Sequence, residues 1–227
     1  TSTAHRVSPD FVYGFPEITG RDRIKNSKRI ANPGCHATGF ISLVFPLVNQ
    51  GIIKPDARLS CFSLTGYSGG GKKMIAEYES SERSALLGAP RQYGLSQQHK
   101  HLKEMAAVTG LLNPPVFCPI VGDFYSGMEV TVTLNKSDFS ASLLEIKEVY
   151  KSFYTGKVVS FSDEQEDGFL SAGILSGKDG LTVSAFGNDD RVILVSRFDN
   201  LGKGASGAAV QNMNIVMGID ETEGLVL

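Results

Sequence analysis

No stretch of this 227-residue chain approaches the roughly 18 apolar residues that a membrane-spanning helix needs, so no membrane span is expected. The first residues, TSTAHRVSPD, lack the basic-then-apolar pattern of a secretory signal. Like charges never cluster, and 22 Lys+Arg against 24 Asp+Glu leave a net charge of −2. That balance carries no footprint of nucleic acid or of an anionic membrane, and neither is expected as a partner. Cysteine is scarce, with three residues (Cys35, Cys61 and Cys118). An odd count in a chain large enough to build its own core argues against a disulfide framework and for a reducing, cytoplasmic setting. The four histidines form no Cys/His cluster at zinc spacing, so no metal is expected. No internal repeat or low-complexity tract is visible, which excludes a solenoid or a linker.

What is present reads as an α+β domain with a mixed, largely antiparallel sheet. Residues 1–34 look loop-like, punctuated by Pro9, Gly14, Pro16, Gly20, Pro33 and Gly34. A helix is expected over about 38–49, kinked or shortened by Pro46. Strands are expected at 57–65, 116–121 and 128–134, and again in LTVSAF and RVILVSRF, the last two joined by the short turn GNDDR. Helical stretches are expected over KKMIAEYESSERSALL, about 97–109, 143–154 and about 205–217.

Cys61 lies in RLSCFSL and Cys118 in PPVFCPIV, apolar strand-like runs in which an unpaired cysteine packs as a small hydrophobe. Cys35 differs. Asn32-Pro33-Gly34-Cys35-His36-Ala37-Thr38-Gly39 puts a thiol where a tight turn passes into an apolar helix. Free N–H groups at a helix N-terminus favour negative charge, so the thiol there is expected to ionise below the usual value of about 8.5 and to serve as a nucleophile. The plainer alternative is a buried cysteine at a helix start. A nucleophilic thiol needs a proton-transfer partner, and His99 and His101, in LSQQHKHLKEM, are the candidates. On a helix, a spacing of two would hold the imidazoles apart; both could also be exposed polar residues.

Two glycine loops invite a nucleotide reading. Gly66-Tyr-Ser-Gly-Gly-Gly71-Lys72-Lys73 nearly spells a P-loop, but Lys73 stands where a magnesium-binding Ser or Thr is required. Gly202-Lys-Gly204-Ala-Ser-Gly207 matches G-x-G-x-x-G, but the 20 residues after Gly207 leave no room for the second strand of a dinucleotide-binding unit. Either loop still offers bare backbone to an anion or a flat ring.

ANPGCHATG at 31–39, followed by FISLVFP, is similar to the active-site signature of N-acetyl-γ-glutamyl-phosphate reductases of the shorter subtype. The resemblance extends through STAHR at 2–6, VYGFPEI at 12–18, SLTGYSGGGKKMIAEYE at 63–79, QYGLSQQHKH at 92–101 and RFDNLGKGASGAAVQNMN at 197–214. It implies a glyceraldehyde-3-phosphate dehydrogenase-like catalytic and dimerisation domain over 35–197, with remnants of a Rossmann-type nucleotide-binding domain. Residues 1–34 would be the tail of that domain, and 198–227 a cofactor-facing loop and a helix returning to it. It further implies NADPH-dependent reduction of an acyl phosphate to an aldehyde through a thioester on Cys35, a step of arginine biosynthesis. His99 and His101 match the family's His-x-His element. Arg6 and Arg91 are candidates for phosphate and carboxylate. Ser68 and Gly69 match one loop beside the nicotinamide, and Asn200 and Gly202 match a second. His36 stands where the family usually has an aromatic residue; a neutral imidazole filling that place is preferred over an imidazolium beside the thiolate. On this reading the chain is truncated at its N-terminus, binds NADP weakly or not at all by itself, and forms a homodimer or homotetramer. The alternatives are a non-catalytic dimerisation fragment, or an acyl-phosphate reductase resembling aspartate-semialdehyde dehydrogenase.

Overall fold

The computed structural model describes residues 6–227. Strands β1 (Val12–Tyr13) and β2 (Ile30–Ala31) form a small parallel pair, with helices α1 (Pro16–Thr19) and α2 (Arg21–Lys25) between them. The loop-like expectation for the opening is therefore corrected. Its prolines and glycines delimit short elements: Pro16 sits at the start of α1, where a missing N–H costs nothing, and Gly20 ends it.

The main sheet has seven strands in the order β4 (Arg91–Gln92), β5 (Val116–Gly122), β3 (Ser60–Gly66), β6 (Met128–Asn135), β9 (Arg191–Phe198), β8 (Leu181–Gly187) and β7 (Val159–Phe161). The β3–β5 and β7–β8 pairs are parallel and the other four antiparallel, as expected for a mixed, largely antiparallel sheet. Alternation sorts its faces. On β3, Cys61, Ser63 and Thr65 are buried while Phe62 is exposed, and on β6 Met128, Val130, Val132 and Leu134 are buried.

Helix α3 (Cys35–Asn49) lies on the buried face and packs Phe40, Ile41, Leu43, Val44 and Leu47, all without exposure, against Val130, Val132, Val183 and Leu194. Each such side chain contributes roughly 1.5–3 kcal/mol of transfer free energy. Helix α6 (Leu143–Phe153) begins with a capping box, in which Ser142 Oγ accepts from Glu145 N–H and Glu145 accepts from Ser142 N–H. Helices α4 (Gly71–Glu79), α5 (Leu102–Thr109) and α7 (Gly207–Met217) complete the fold.

Two helix expectations are corrected here. Pro46 does not shorten α3. Its absent N–H frees the Ser42 carbonyl four residues back, and Tyr154 Oη donates to that carbonyl at 2.7 Å. Tyr150 Oη donates to the next one, on Leu43, at 2.6 Å. Tyrosines of α6 and the residue after it thus repair the broken ladder from outside. The segment 97–101 does not join α5. Gln97 has φ +56°, and its side-chain amide bonds both the N–H (2.9 Å) and the carbonyl (2.8 Å) of Phe117, so it behaves as a strand residue beside β5.

Candidate active site

Cys35 opens α3 at the floor of a cleft of about 520 Å³. Its neighbours come from distant parts of the chain: Arg6, Asn32, the 66–71 loop, Tyr93, the 99–101 turn and the 200–205 segment. Helix α3 has no side-chain N-cap. Glu104, in the first turn of α5 and 2% exposed, takes part of that role by accepting from Gly34 N–H at 2.8 Å. The same carboxylate accepts from Tyr13 Oη at 2.7 Å and from Arg6 Nη1 at 3.3 Å. It thereby ties β1, the turn before Cys35 and an incoming arginine to one point. Burial pushes the Glu104 carboxyl above its ordinary range, against the Gly34 N–H and Arg6, which favour the anion.

The 99–101 turn brings its two imidazoles together, with ring centroids 4.7 Å apart, instead of splaying them on a helix. His36 stands 5.6 Å from each. His99 Nδ1 accepts from His101 N–H at 3.3 Å, which places the proton of a neutral His99 on Nε2. His101 is 4% exposed, and its buried Nδ1 has no hydrogen-bond partner among the described residues. Burial, with His36 and His99 adding to it, lowers His101 to about 2. Burial also lowers His36 to about 3, so both are neutral at working pH. His99 is half-buried and is lowered by burial and by Lys100. Among the described residues, no group of three His, Cys, Asp or Glu side chains is arranged to hold a metal ion.

The thiol departs from its sequence expectation. Burial pushes Cys35 above its ordinary value; the His36 N–H, Arg6 and Lys100 oppose this without overcoming it. The helix terminus is present, but desolvation of the thiolate outweighs it. Alkylation of Cys35 by iodoacetamide, located by peptide mass spectrometry, should therefore still be rising at pH 9 in the ligand-free protein. A plateau below pH 7.5 would contradict this balance.

The two glycine loops meet across the cleft. Asn200, 3% exposed, donates from Nδ2 to Ser68 Oγ at 2.9 Å and accepts from Gly127 N–H at 3.0 Å. Residues 202–206 form a π-helical turn, with Ser206 N–H bonded to Leu201 O at 2.7 Å, and lead directly into α7. Gly204 packs on Cys35: a Cβ there would lie 3.0 Å from Cys35 Cβ, a tight contact that would push one of the two by a few tenths of an ångström.

Of the residues singled out from sequence, Cys35, His99, His101, Arg6, Ser68, Gly69 and Asn200 line one cleft. Two do not. Arg91 donates from Nη2 to Tyr78 Oη at 3.1 Å and its guanidinium lies 5.4 Å from that ring's centroid, away from the cleft lining. Gly202 packs behind the wall, against Lys178 O and Asp179, and Gly204 takes the cleft-facing place. Asn32, Tyr93, Lys100 and Glu104 were not singled out. All lie inside or next to the blocks that carried the resemblance, but their burial and convergence left no mark in the sequence. His5 lies outside the described residues.

A family described as semialdehyde dehydrogenase, dimerisation domain, matches residues 35–200. The N-acetyl-gamma-glutamyl-phosphate reductase 2 of Nostoc sp. is 43% identical to this chain, covering 99% of it and 75% of the relative. The chain belongs to the N-acetyl-gamma-glutamyl-phosphate reductase family. The reductase of Brucella suis is 44% identical over 96% of the chain and 74% of its own length. In fold, this family member resembles aspartate semialdehyde dehydrogenase II from Vibrio cholerae, with a TM-score of 0.69 at 16% identity, covering 95% of this chain and 71% of that one. It also resembles the enzyme from Francisella tularensis, with a TM-score of 0.67 at 13% identity, covering 93% and 72%. At those identities the likeness concerns fold alone.

Proposed function

We propose that this chain reduces N-acetyl-γ-glutamyl phosphate to N-acetylglutamate semialdehyde through a thioester on Cys35, a step of arginine biosynthesis, with NADPH as reductant. The observation that carries the reading is one cleft that gathers the thiol, two histidines and two cations, Arg6 and Lys100. Arg6 and Lys100 suit an anionic acyl phosphate, and their positive charge favours the thiolate. Cys35 attacks the acyl carbon, the C–O bond to phosphate breaks and phosphate leaves, giving a thioester that is easier to reduce than a carboxylate. His99 is the residue we assign to proton movement, because it is the less buried of the pair and carries its neutral-form proton on Nε2. His101, deeper and held neutral, supports the wall behind it.

The 66–71 and 199–205 loops fit one face of a nicotinamide. Gly69, Gly70, Gly71 and Gly204 leave bare backbone on the cleft, and Asn200 holds the two loops together. Bound there, NADPH would supply the hydride that reduces the acyl group. Ser68, Gly69 and Asn200 would face the cofactor, with Gly202 behind them. We assign 35–197 to catalysis and association and 198–227 to a cofactor-facing loop and returning helix. Residues 1–34 are assigned to the tail of the nucleotide-binding domain, to which that helix returns. Contacts of Asn212 with Gly14 O (2.8 Å) and of Arg21 with Glu221 (2.7 Å) support that division. The open sheet face, with Phe62 46% and Ile193 41% exposed, suits homo-oligomer formation.

The test is a cofactor-free half-reaction. Mixing the chain with N-acetyl-γ-glutamyl phosphate should release phosphate and add one N-acetylglutamyl mass to the peptide containing Cys35; no adduct at saturating substrate would reject the reading. Gly34→Ala should slow that acylation at least ~10²-fold. A Cβ at position 34 would run into His101 and Arg6, and the buried imidazole has nowhere to go. A variant that folds and acylates normally would show that this packing is not required.

A further inference from the structure

His36 takes no part in the steps above, yet it is only 3% exposed in the cleft wall and has both ring nitrogens engaged. Nδ1 is 2.6 Å from Ser63 Oγ and Nε2 is 2.6 Å from Tyr93 Oη. Distances alone leave the direction of the chain open, but hydrogen-bond accounting decides it. Ser63 is in the middle of β3 with no exposure, and its hydroxyl makes no other hydrogen bond among the described residues. Were His36 protonated on Nδ1, the Ser63 proton would be buried without an acceptor among the described residues, which buried hydroxyls avoid. With Ser63 donating to Nδ1, the imidazole proton sits on Nε2 and is donated to Tyr93, whose oxygen becomes the acceptor. The phenol's own proton is then left to point elsewhere. Tyr93 is half-buried, lines the cleft and has its ring 6.1 Å from that of His99, so the open direction is the cleft.

We propose that His36 is a positioning residue: as a neutral Nε2–H imidazole held by Ser63, it turns the Tyr93 hydroxyl into a fixed hydrogen-bond donor for an oxygen of the acyl phosphate beside Cys35. Ser63 orients His36, His36 orients Tyr93, and Tyr93 meets the substrate. Burial and the Cys35 charge also hold the phenol proton on, so it stays a donor throughout the working range. The proposal rests on the acylation reading above, and the two fail separately.

Two measurements test it. In protein labelled with ¹³C and ¹⁵N at histidine, the His36 ring should show the Nε2–H tautomer, uncharged from pH 5 to 9. An Nδ1–H ring or an imidazolium overturns the proposal whether or not the chain acylates. The second is the rate of Cys35 acylation by N-acetyl-γ-glutamyl phosphate in His36→Phe, Tyr93→Phe and the double variant. Each single change should slow acylation roughly 10- to 30-fold, consistent with loss of one directed hydrogen bond. The double variant should be no slower than either single one within twofold, because both remove the same interaction. A His36→Phe rate within twofold of the unaltered protein, or multiplicative losses, overturns the proposal. If His36→Phe does not fold, Ser63→Ala takes its place. Removing that one hydroxyl should convert the ring to a mixture of tautomers and slow acylation at least threefold, and an unchanged ring and rate overturn the proposal. If the unaltered chain forms no thioester, the acylation reading fails, while the tautomer result still judges the relay.

Discussion

Cys35→Ser should lower acyl-phosphate-dependent phosphate release by ~10³-fold or more, about 4 kcal/mol in barrier, and abolish the mass adduct. The substitution removes one atom's nucleophilicity and little else. Serine is isosteric enough to keep the contact of Gly204 with the Cβ of residue 35, and its hydroxyl oxygen replaces the sulfur as acceptor for the His36 N–H. Cys118→Ala should leave the rate within twofold, since Cys118 lies on β5 away from the cleft lining. Should Cys35→Ser retain more than a few per cent of the rate, the nucleophile is not Cys35. Because substrate must drive ionisation of a thiol that burial holds protonated, the pH–rate profile of acylation should rise at lower pH than the alkylation profile of the free protein. Arg6 and Lys100 are the groups placed to produce that difference.

Lys203→Met should destabilise the fold by about 3–5 kcal/mol at pH 7, lowering Tm by roughly 10 °C or more. Lys203 is 1% exposed in the π-helical turn beside the nucleophile. Its ammonium donates to Glu17 at 2.9 Å and to Gln211 at 2.5 Å and lies 4.9 Å from the centroid of Phe15. Gln211 in turn donates to Glu17 at 2.9 Å and to Glu221 at 3.0 Å. Methionine would fill the space and leave the Glu17 carboxylate buried without its cation, which is the expensive half of breaking such a pair. The sign with pH follows from Glu17. Burial raises its pKa, but Lys203 and Gln211 more than offset this and hold it below the usual range. A depressed carboxyl contributes stability that is fully present above the unfolded value of about 4.3 and lost as pH falls through the lower folded value. Denaturant melts of the unaltered protein should therefore weaken below about pH 4.3, and Glu17→Gln should flatten that acid limb. A loss under 1 kcal/mol in Lys203→Met would show that the pair is energetically neutral.

Much of the site was legible in the residue order. ANPGC placed a thiol at a helix start, QQHKH supplied two histidines, and the glycine loops at 66–71 and 202–207 marked where backbone would be bare. These are local features, and local chemistry is what short sequence blocks encode. The elements were legible for the same reason: alternation in β6 and β9 and helical spacing in α6 are properties of neighbouring residues. Where the reading slipped, a distant group had overridden the local one. Pro46 was expected to kink or shorten α3, and Tyr154, more than a hundred residues away, satisfies the carbonyl it frees. His99 and His101 were expected to diverge on a helix, and Gln97 instead pairs with β5, so that α5 begins only at Leu102.

By itself, then, the sequence determined the family and the mixed sheet and marked Cys35, His99 and His101 as candidates, because each is carried by contiguous residues or a short period. The tertiary structure decided the rest: that Cys35 is raised and not lowered, that His36 is locked between Ser63 and Tyr93, and that Glu104 and Lys203 are buried and paired. It also decided that Gly204 faces the cleft while Gly202 does not. These depend on desolvation and on partners distant in sequence, such as Ser63, 27 positions from His36, and Glu17, 186 from Lys203, and only the folded chain supplies both.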